Sequence, residues 1–343
     1  NHEVLNTFYV AKTIACGTCP MPCEHEVIIP EGPFKGVMTR MEYDSLWAFG
    51  PYCGIDQLDA IVKATQLCYY YGLDSRSVGV IVGFVMDCYE KAILTKQDLG
   101  EIDAHFGNAE ALLALIEKIG KREGIGDVLA DGVKFSSEKI GKDSYKLAQQ
   151  IKGLEVPGYD LRCLKTAALN FATSYSGIEN EDYSLCSTCK VDHHEKNIAK
   201  HVSDTDELEA LVNSLLVCPF SKVVLQKQYF ELSKLYSLVT GNAVTPDEIK
   251  VAAERIIVLN RIINTREGLT RKDDTLPWKI INDPISDEGP TKGAILNQKE
   301  LDLLLDDYYK IRGWTANGVP TTTKLTVLDL SEYLSIIENK QEA

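Results

Sequence analysis

Three cysteines, Cys16, Cys19 and Cys23, stand at C-x2-C-x3-C spacing in the stretch "ACGTCPMPCEHEV". Three thiols this close on one loop can hold a metal, form a disulfide or fill a core as small apolar groups. Tetrahedral zinc and a [4Fe–4S] cluster both need four protein ligands, so either requires a distant fourth. Gly17, Pro20 and Pro22 suit a loop that wraps a cluster. Cys218 is the best fourth candidate: it closes the apolar helix pattern "ALVNSLLVC", and Pro219 stops ordinary continuation of a helix. The plain alternative for Cys218 is a core cysteine. A second group, "CSTCKVDHH", contains Cys186, Cys189, His193 and His194. Zinc modules separate their ligand pairs further than this, so exposed surface residues are the expectation there.

The bounds on the rest of the molecule come from composition. A chain of 343 residues allows two domains at ~150 residues each. Hydrophobic residues at 45% and charged residues at 25% fit an ordinary globular protein. The longest apolar stretch, "SVGVIVGFVM", falls short of the ~18–20 residues that span a bilayer and reads as a buried helix. A formal charge of −14 opposes nonspecific binding to nucleic acid or an anionic membrane, both of which need a basic face. Ten cysteines are too few for a disulfide scaffold in a chain of this length. Reduced thiols in a cytoplasmic protein are therefore expected, and clustered thiols in that setting point to metal or redox chemistry. The chain starts at Asn1 with neither an initiator Met nor a signal-peptide pattern, which leaves room for a preceding segment.

The elements that must position the cysteines are mostly helical. Residues 1–50 read as irregular, with turn residues in "IIPEGPFKGV". "IDQLDAIVKATQLCYYYG" places Leu58, Ile61, Val62, Thr65 and Tyr69 on one helical face, and Gly72 stops it. "SVGVIVGFVMDCYEKAIL" is apolar nearly all round and should be central. "NAEALLALIEKIGKREG" begins on the N-cap candidate Asn108 and stops at Gly124, and "GDVLADGVKFSSEKIG" is a further short helix. Pro157 and Gly158 break the pattern near residue 150, so two domains, 1–149 and 150–343, are expected. The second half adds "DELEALVNSLLVC", "FELSKLYSLVTG", "TPDEIKVAAERIIVLNRIINTREG" with Thr245, Pro246 and Glu248 as a helix start, and "NQKELDLLLDDYYKIRGW" ending at Gly313. The expected fold class is mainly α, in two helical domains.

Six segments, in chain order, carry a resemblance: "CGTCPMPC", "MEYDSLWAFGPYCGIDQLDAIVKATQLCYYYGLDS", "KREGIGDVLADG", "GLEVPGYDLR", "DDTLP" and "YYKIRGW". Together they resemble the tungsten-dependent aldehyde ferredoxin oxidoreductase family, over nearly the whole chain but only over that family's helical second and third domains. The family's N-terminal β-rich domain, which supplies much of the tungstopterin cradle, has no counterpart in this sequence. The resemblance implies a [4Fe–4S] cluster on Cys16, Cys19, Cys23 and Cys218. It also implies a tungsten (or molybdenum) bis-pterin that requires the absent domain, supplied in the same protein or by a companion subunit.

The family's D-x-x-G-L-[CD] pterin pattern matches twice. The first copy is Tyr69-Tyr70-Tyr71-Gly72-Leu73-Asp74, with Tyr69 in place of the leading Asp. The second runs from Asn213 to Cys218, with Asn213 for Asp and Leu216 for Gly. Asn keeps hydrogen bonding without charge, and Leu adds bulk where Gly permits close approach. By the same resemblance Gly72, Leu73, Asp74, Asn213 and Cys218 are the cofactor-binding residues. The family's "EYE" segment is "EYD" here, which makes Asp44 the carboxylate that orients water or takes a proton. The family's histidine near the metal corresponds to Asn180, with Glu179 beside it, as substrate hydrogen-bonding groups. Read from the residues alone, Asp44 is a helix-cap or turn carboxylate. The positions of the family's subunit-bridging metal appear as Lys63 and Leu113, so a homodimer would lack that metal.

The activity implied is oxidation of a small aldehyde to a carboxylic acid, with ferredoxin as electron acceptor. Three alternatives compete: an electron-transfer [4Fe–4S] subunit or fragment without catalysis of its own, a relative acting on another substrate such as an aromatic acyl-CoA, and a helical zinc-binding structural protein.

Overall fold

The computed structural model describes residues 2–175, 197–218, 220, 225 and 228–341. The chain is mainly helical and divides into two compact units, one of residues 1–159 with 277–279, the other of residues 160–276 with 280–343.

Unit 1 opens with a three-stranded antiparallel sheet, β1 (Val10–Ile14), β2 (Glu24–Ile28) and β3 (Met38–Met41), in the order β1-β2-β3. This corrects the expectation that residues 1–50 are irregular. The strands are short, and polar or charged residues interrupt their apolar alternation. Cross-strand ion pairs, Lys12 to Glu26 at 3.1 Å and Arg40 to Glu24 at 3.2 Å, join them. The core side is carried by few residues, Val27, Ile29 and Met41. A weak period-2 pattern of this kind is set by neighbours in the fold rather than by propensity. The cysteine loop is the connection between β1 and β2.

The helices of unit 1 are α1 (Tyr43–Phe49), α2 (Leu58–Tyr71), α3 (Ser75–Glu90), α4 (Ala109–Lys121), α5 (Ile125–Leu129) and α6 (Val133–Ile140). The buried run from Val78 to Cys88 confirms α3 as central. It packs on α1, and α2 packs on α4 and β3. Asn108 caps α4 by accepting from the Glu110 and Ala111 amides, as its type and place predict. The helix stops at Lys121, where Arg122 turns left-handed, three residues before the expected Gly124. "GDVLADGVKFSSEKIG" forms two helices, because Gly132 at φ +93° breaks it. Unit 1 also keeps the hairpin β4–β5 (Gln150–Ile151, Leu154–Glu155), so the division falls after Tyr159 rather than before Gln150. Buried Glu155 accepts from the Val133 amide at 2.7 Å, and Gly158 lies against Trp47 and Tyr43; these ties hold the segment to unit 1.

Unit 2 contains α7 (Lys165–Thr173), α8 (Ile198–Ser214), α9 (Gln228–Thr240), α10 (Pro246–Arg266), α11 (Gln298–Arg312), α12 (Thr322–Val327) and α13 (Leu334–Gln341). α8 packs on α7, α10 and α11. Thr245 and Glu248 form the reciprocal capping box expected of them, and Gly313 ends α11 in the left-handed region. The core is partly polar. Arg312, 1% exposed, donates to Glu207 Oε1 at 2.9 Å, to Asp206 Oδ2 at 3.2 Å and to the Ser203 carbonyl at 2.8 Å. Asn170 and Tyr308 donate to the two Asp206 oxygens at 2.7 and 2.5 Å. The charges are buried together, so each acts as the other's solvent.

Candidate functional site

Asp44 sits in the first turn of α1, whose position is fixed by three ties. Ser45 Oγ shares a hydrogen bond with Ser75 Oγ at 2.7 Å, joining α1 to the start of α3. Tyr43 Oη donates to the Gly158 carbonyl at 3.1 Å. Gly158 approaches so closely that a Cβ there would lie 2.8 Å from Trp47 ring atoms and 3.0 Å from the Tyr43 hydroxyl. The Asp44 carboxylate is three-quarters buried. Its Oδ2 lies 3.9 Å from Arg76 Nη1, and its Oδ1 is buried with no hydrogen-bond partner. Burial holds the Asp44 pKa above the usual carboxylate range; Arg76 opposes the shift and Asp74 adds to it. Such a group is poised to exchange a proton nearer neutrality than an exposed Asp. Arg76, which sets the charge balance here, was legible only as a polar residue in the first turn of α3.

The first pterin-type segment is the C-terminus of α2. Gly72 at φ +68° donates to the Tyr69 carbonyl, and Leu73 donates to Cys68, which is a Schellman turn. Asp74 then caps α3, accepting from the Ser77 amide at 2.7 Å. Tyr69, in the place of an acid, is half exposed. The second segment is built the same way in unit 2. Leu216 donates to Asn213 and Val217 to Val212, with Leu216 at φ +58°. The backbone thus reproduces the glycine turn with a leucine in it. Cys218 does not end the helix as expected; α8 stops at Ser214, and exposed Cys218 follows the turn.

Cys16, Cys19 and Cys23 are all exposed. Thr18 at φ +66° bends the loop, Cys19 N–H donates to the Cys16 carbonyl, and the Met21 amide reaches Cys19 Sγ at 3.5 Å. An amide directed at a sulfur is the kind of contact that tunes a bound cluster. No three of His, Cys, Asp and Glu converge in metal-holding geometry among the described residues. The loop therefore supplies the donors without gathering them. The core thiols are a contrast: burial pushes Cys53, Cys68 and Cys88 up to about 12, which makes them inert packing. Asn180, Glu179, Cys186, Cys189, His193 and His194 lie outside the described residues. No helix among the described residues is long and apolar enough to cross a membrane.

Residues 1–330 match the family model "Aldehyde ferredoxin oxidoreductase, domains 2 & 3". The chain belongs to the aldehyde ferredoxin oxidoreductase family. It is 34% identical over 342 residues to the tungsten-containing aldehyde ferredoxin oxidoreductase of Pyrococcus furiosus, covering 96% of this chain and 54% of that protein. Against the protein of the same name from Thermococcus kodakarensis it is 33% identical, covering 97% of this chain and 55% of the other. The chain thus spans about half the length of these relatives. A solved structure, the active site complex BamBC of benzoyl coenzyme A reductase with 1,5-dienoyl-CoA, superposes with a TM-score of 0.77 at 21% identity. It covers 100% of this chain and 56% of its own, which supports the helical fold.

Proposed function

We propose that the chain is the C-terminal part of a tungstopterin iron–sulfur oxidoreductase that oxidises aldehydes to carboxylic acids and passes the electrons to ferredoxin. The observation that carries this reading is the loop between β1 and β2, which offers three exposed thiols at cluster spacing with an amide already aimed at one sulfur. The donor types fit a [4Fe–4S] cluster: Cys16, Cys19 and Cys23 would supply three thiolates, and Cys218 would be the fourth. By the family resemblance, Gly72, Leu73 and Asp74, and likewise Asn213 and Cys218, would contribute to holding the pterins. When bound, the metal–pterin supplies two-electron redox chemistry at the substrate carbon.

The chain's own contribution is positioning and proton handling. Asp44 holds or accepts a proton at its unpartnered Oδ1 and orients water there. Arg76 opposes the upward shift that burial imposes on Asp44, and the packing of α1 on Gly158 and Ser75 keeps the carboxylate in place. Asn180 and Glu179 are the proposed substrate hydrogen-bonding groups. The names of relatives differ in substrate; one, 28% identical, is the Pyrococcus furiosus "Aliphatic sulfonate oxidoreductase, WOR-like subunit". The substrate is therefore decided by assay. The test is iron, tungsten, molybdenum and zinc per chain in anaerobically isolated protein, with aldehyde turnover measured on the same sample. About four irons with one tungsten and aldehyde-dependent ferredoxin reduction are expected. Zinc without iron would overturn the reading.

A further inference from the structure

Two buried hydrogen-bonding groups in unit 2 have no partner among the described residues and belong to residues that line the same small cavity. Ser174, 5% exposed, follows the last residue of α7, and its backbone amide is engaged with the Asn170 carbonyl at 2.8 Å. Its Oγ has no hydrogen-bond partner among the described residues. Trp314, 7% exposed, lies two residues past the end of α11, under the Arg261 guanidinium at 5.1 Å and beside the rings of Tyr308 and Tyr309, each at 5.9 Å. Its Nε1 likewise has no acceptor among the described residues. The indole N–H can only donate, while the serine hydroxyl can do both. Leaving either dry costs free energy in a core this tightly packed.

The cavity has a volume of about 10 Å3, room for the centre of one water. Other polar side chains around it already have protein partners. Asp206 accepts from Asn170 and Tyr308, Arg261 donates to the Gly318 carbonyl and to Asp274, and Thr173 donates to the Leu169 carbonyl. Ser174 and Trp314 are left over, too deep for bulk solvent and too few to satisfy a larger polar ligand.

We propose that this cavity binds one internal water, which accepts a hydrogen bond from Trp314 Nε1 and exchanges one with Ser174 Oγ. The carboxylate of Asp206 retains spare lone pairs and takes a third bond from the same water. Two to four polar partners are what a buried water needs. The water joins the end of α7 to the turn after α11, two places the backbone does not connect, and extends the Arg312–Asp206–Tyr308 network to the rim of the core.

The test is a crystal structure of the full chain at a resolution that shows waters, with a double-mutant cycle in urea. Density for one water about 3 Å from both Trp314 Nε1 and Ser174 Oγ is expected. Ser174→Ala removes one hydroxyl, and Trp314→Phe keeps a ring under Arg261 while deleting the N–H. Each is expected to lower the unfolding midpoint of unit 2, and the double variant by clearly less than the sum, because the second loss removes a partner from a water already weakened. Absence of the water density overturns the proposal, as do strictly additive midpoint shifts.

Discussion

Replacing Leu216 by glycine should make the protein more stable, although it deletes an apolar side chain. Leu216 sits at φ +58° in the turn that closes α8, and the residue is 92% exposed. An L-residue in the left-handed region costs about 1–2 kcal/mol. Glycine pays no such cost there, but its freer unfolded chain gives back about 0.5–1 kcal/mol. The exposed isobutyl group buries almost no surface, so its removal forfeits little hydrophobic energy. The net gain is about 1 kcal/mol, or about 2–4 °C in a domain of this order of size.

Differential scanning calorimetry reads the effect, since two units can give two steps and only that of unit 2 should rise. The reciprocal change is a control. Gly72 holds the same turn in unit 1 at φ +68°, and nothing lies within 4 Å of where its Cβ would stand. Gly72→Leu therefore meets no clash and should cost about 1 kcal/mol through the backbone alone. An unchanged or lowered melting step in Leu216→Gly would refute the reasoning, because it would mean that the leucine side chain has a partner that offsets its backbone.

Asp44→Asn should raise stability at pH 7 while abolishing most aldehyde turnover. The folded pKa of Asp44 lies above 3.8, so the folded state holds its proton more tightly, and ionisation costs stability as pH rises from the unfolded value through the folded one. The asparagine variant escapes that cost at neutral pH, and in urea titrations its advantage should vanish below the unfolded value; an advantage that grows in acid would contradict the assignment. Gly158→Ala forces Trp47 and Tyr43 to move and should cost about 1–3 kcal/mol by overpacking, with kcat falling more than KM rises because α1 carries Asp44. Arg312→Met strands Asp206 and Glu207 in the core and should cost about 3–5 kcal/mol; adding Asp206→Asn and Glu207→Gln should recover part of it, and a single variant as stable as wild type would show that the network is idle. Glu155→Ala removes the carboxylate that receives the Val133 amide and should lower the melting step of unit 1 by about 1–2 kcal/mol, while Glu155→Gln loses less.

Helix ends were the most legible part of the sequence. Asn108, the Thr245–Glu248 pair, Gly72 and Gly313 all act as their types predict, because a cap is decided within four residues. The sheet was not legible, since Lys12, Glu24, Glu26 and Arg40 interrupt the apolar alternation and their pairing is visible only once the strands are adjacent. The same limit governs the site. The spacing of Cys16, Cys19 and Cys23 is local and could be read. The value of Asp44 lies in its burial and in its distance from Arg76, which no window of sequence contains. The likeness of the two pterin-type segments was read from their pattern, but the shape of the second turn was not. Leu216 disguises the second turn, and only its backbone angle and hydrogen bonds match those of Gly72.

That an orphaned carboxylate oxygen survives in a well-packed unit is itself an argument about function. A buried acceptor without a partner costs about 1–3 kcal/mol. The surroundings do the opposite of relieving it. Ser45 is tied to Ser75 and Tyr43 to the Gly158 carbonyl, and Trp47 stands so close to Gly158 that a Cβ there would clash, all on a helix of seven residues. Three ties on two turns of helix leave the carboxylate no freedom to swing toward a better partner. A carboxylate with one cation at 3.9 Å, a pKa held above the usual range by burial and an oxygen without a partner among the described residues suits the proton-handling role proposed for Asp44.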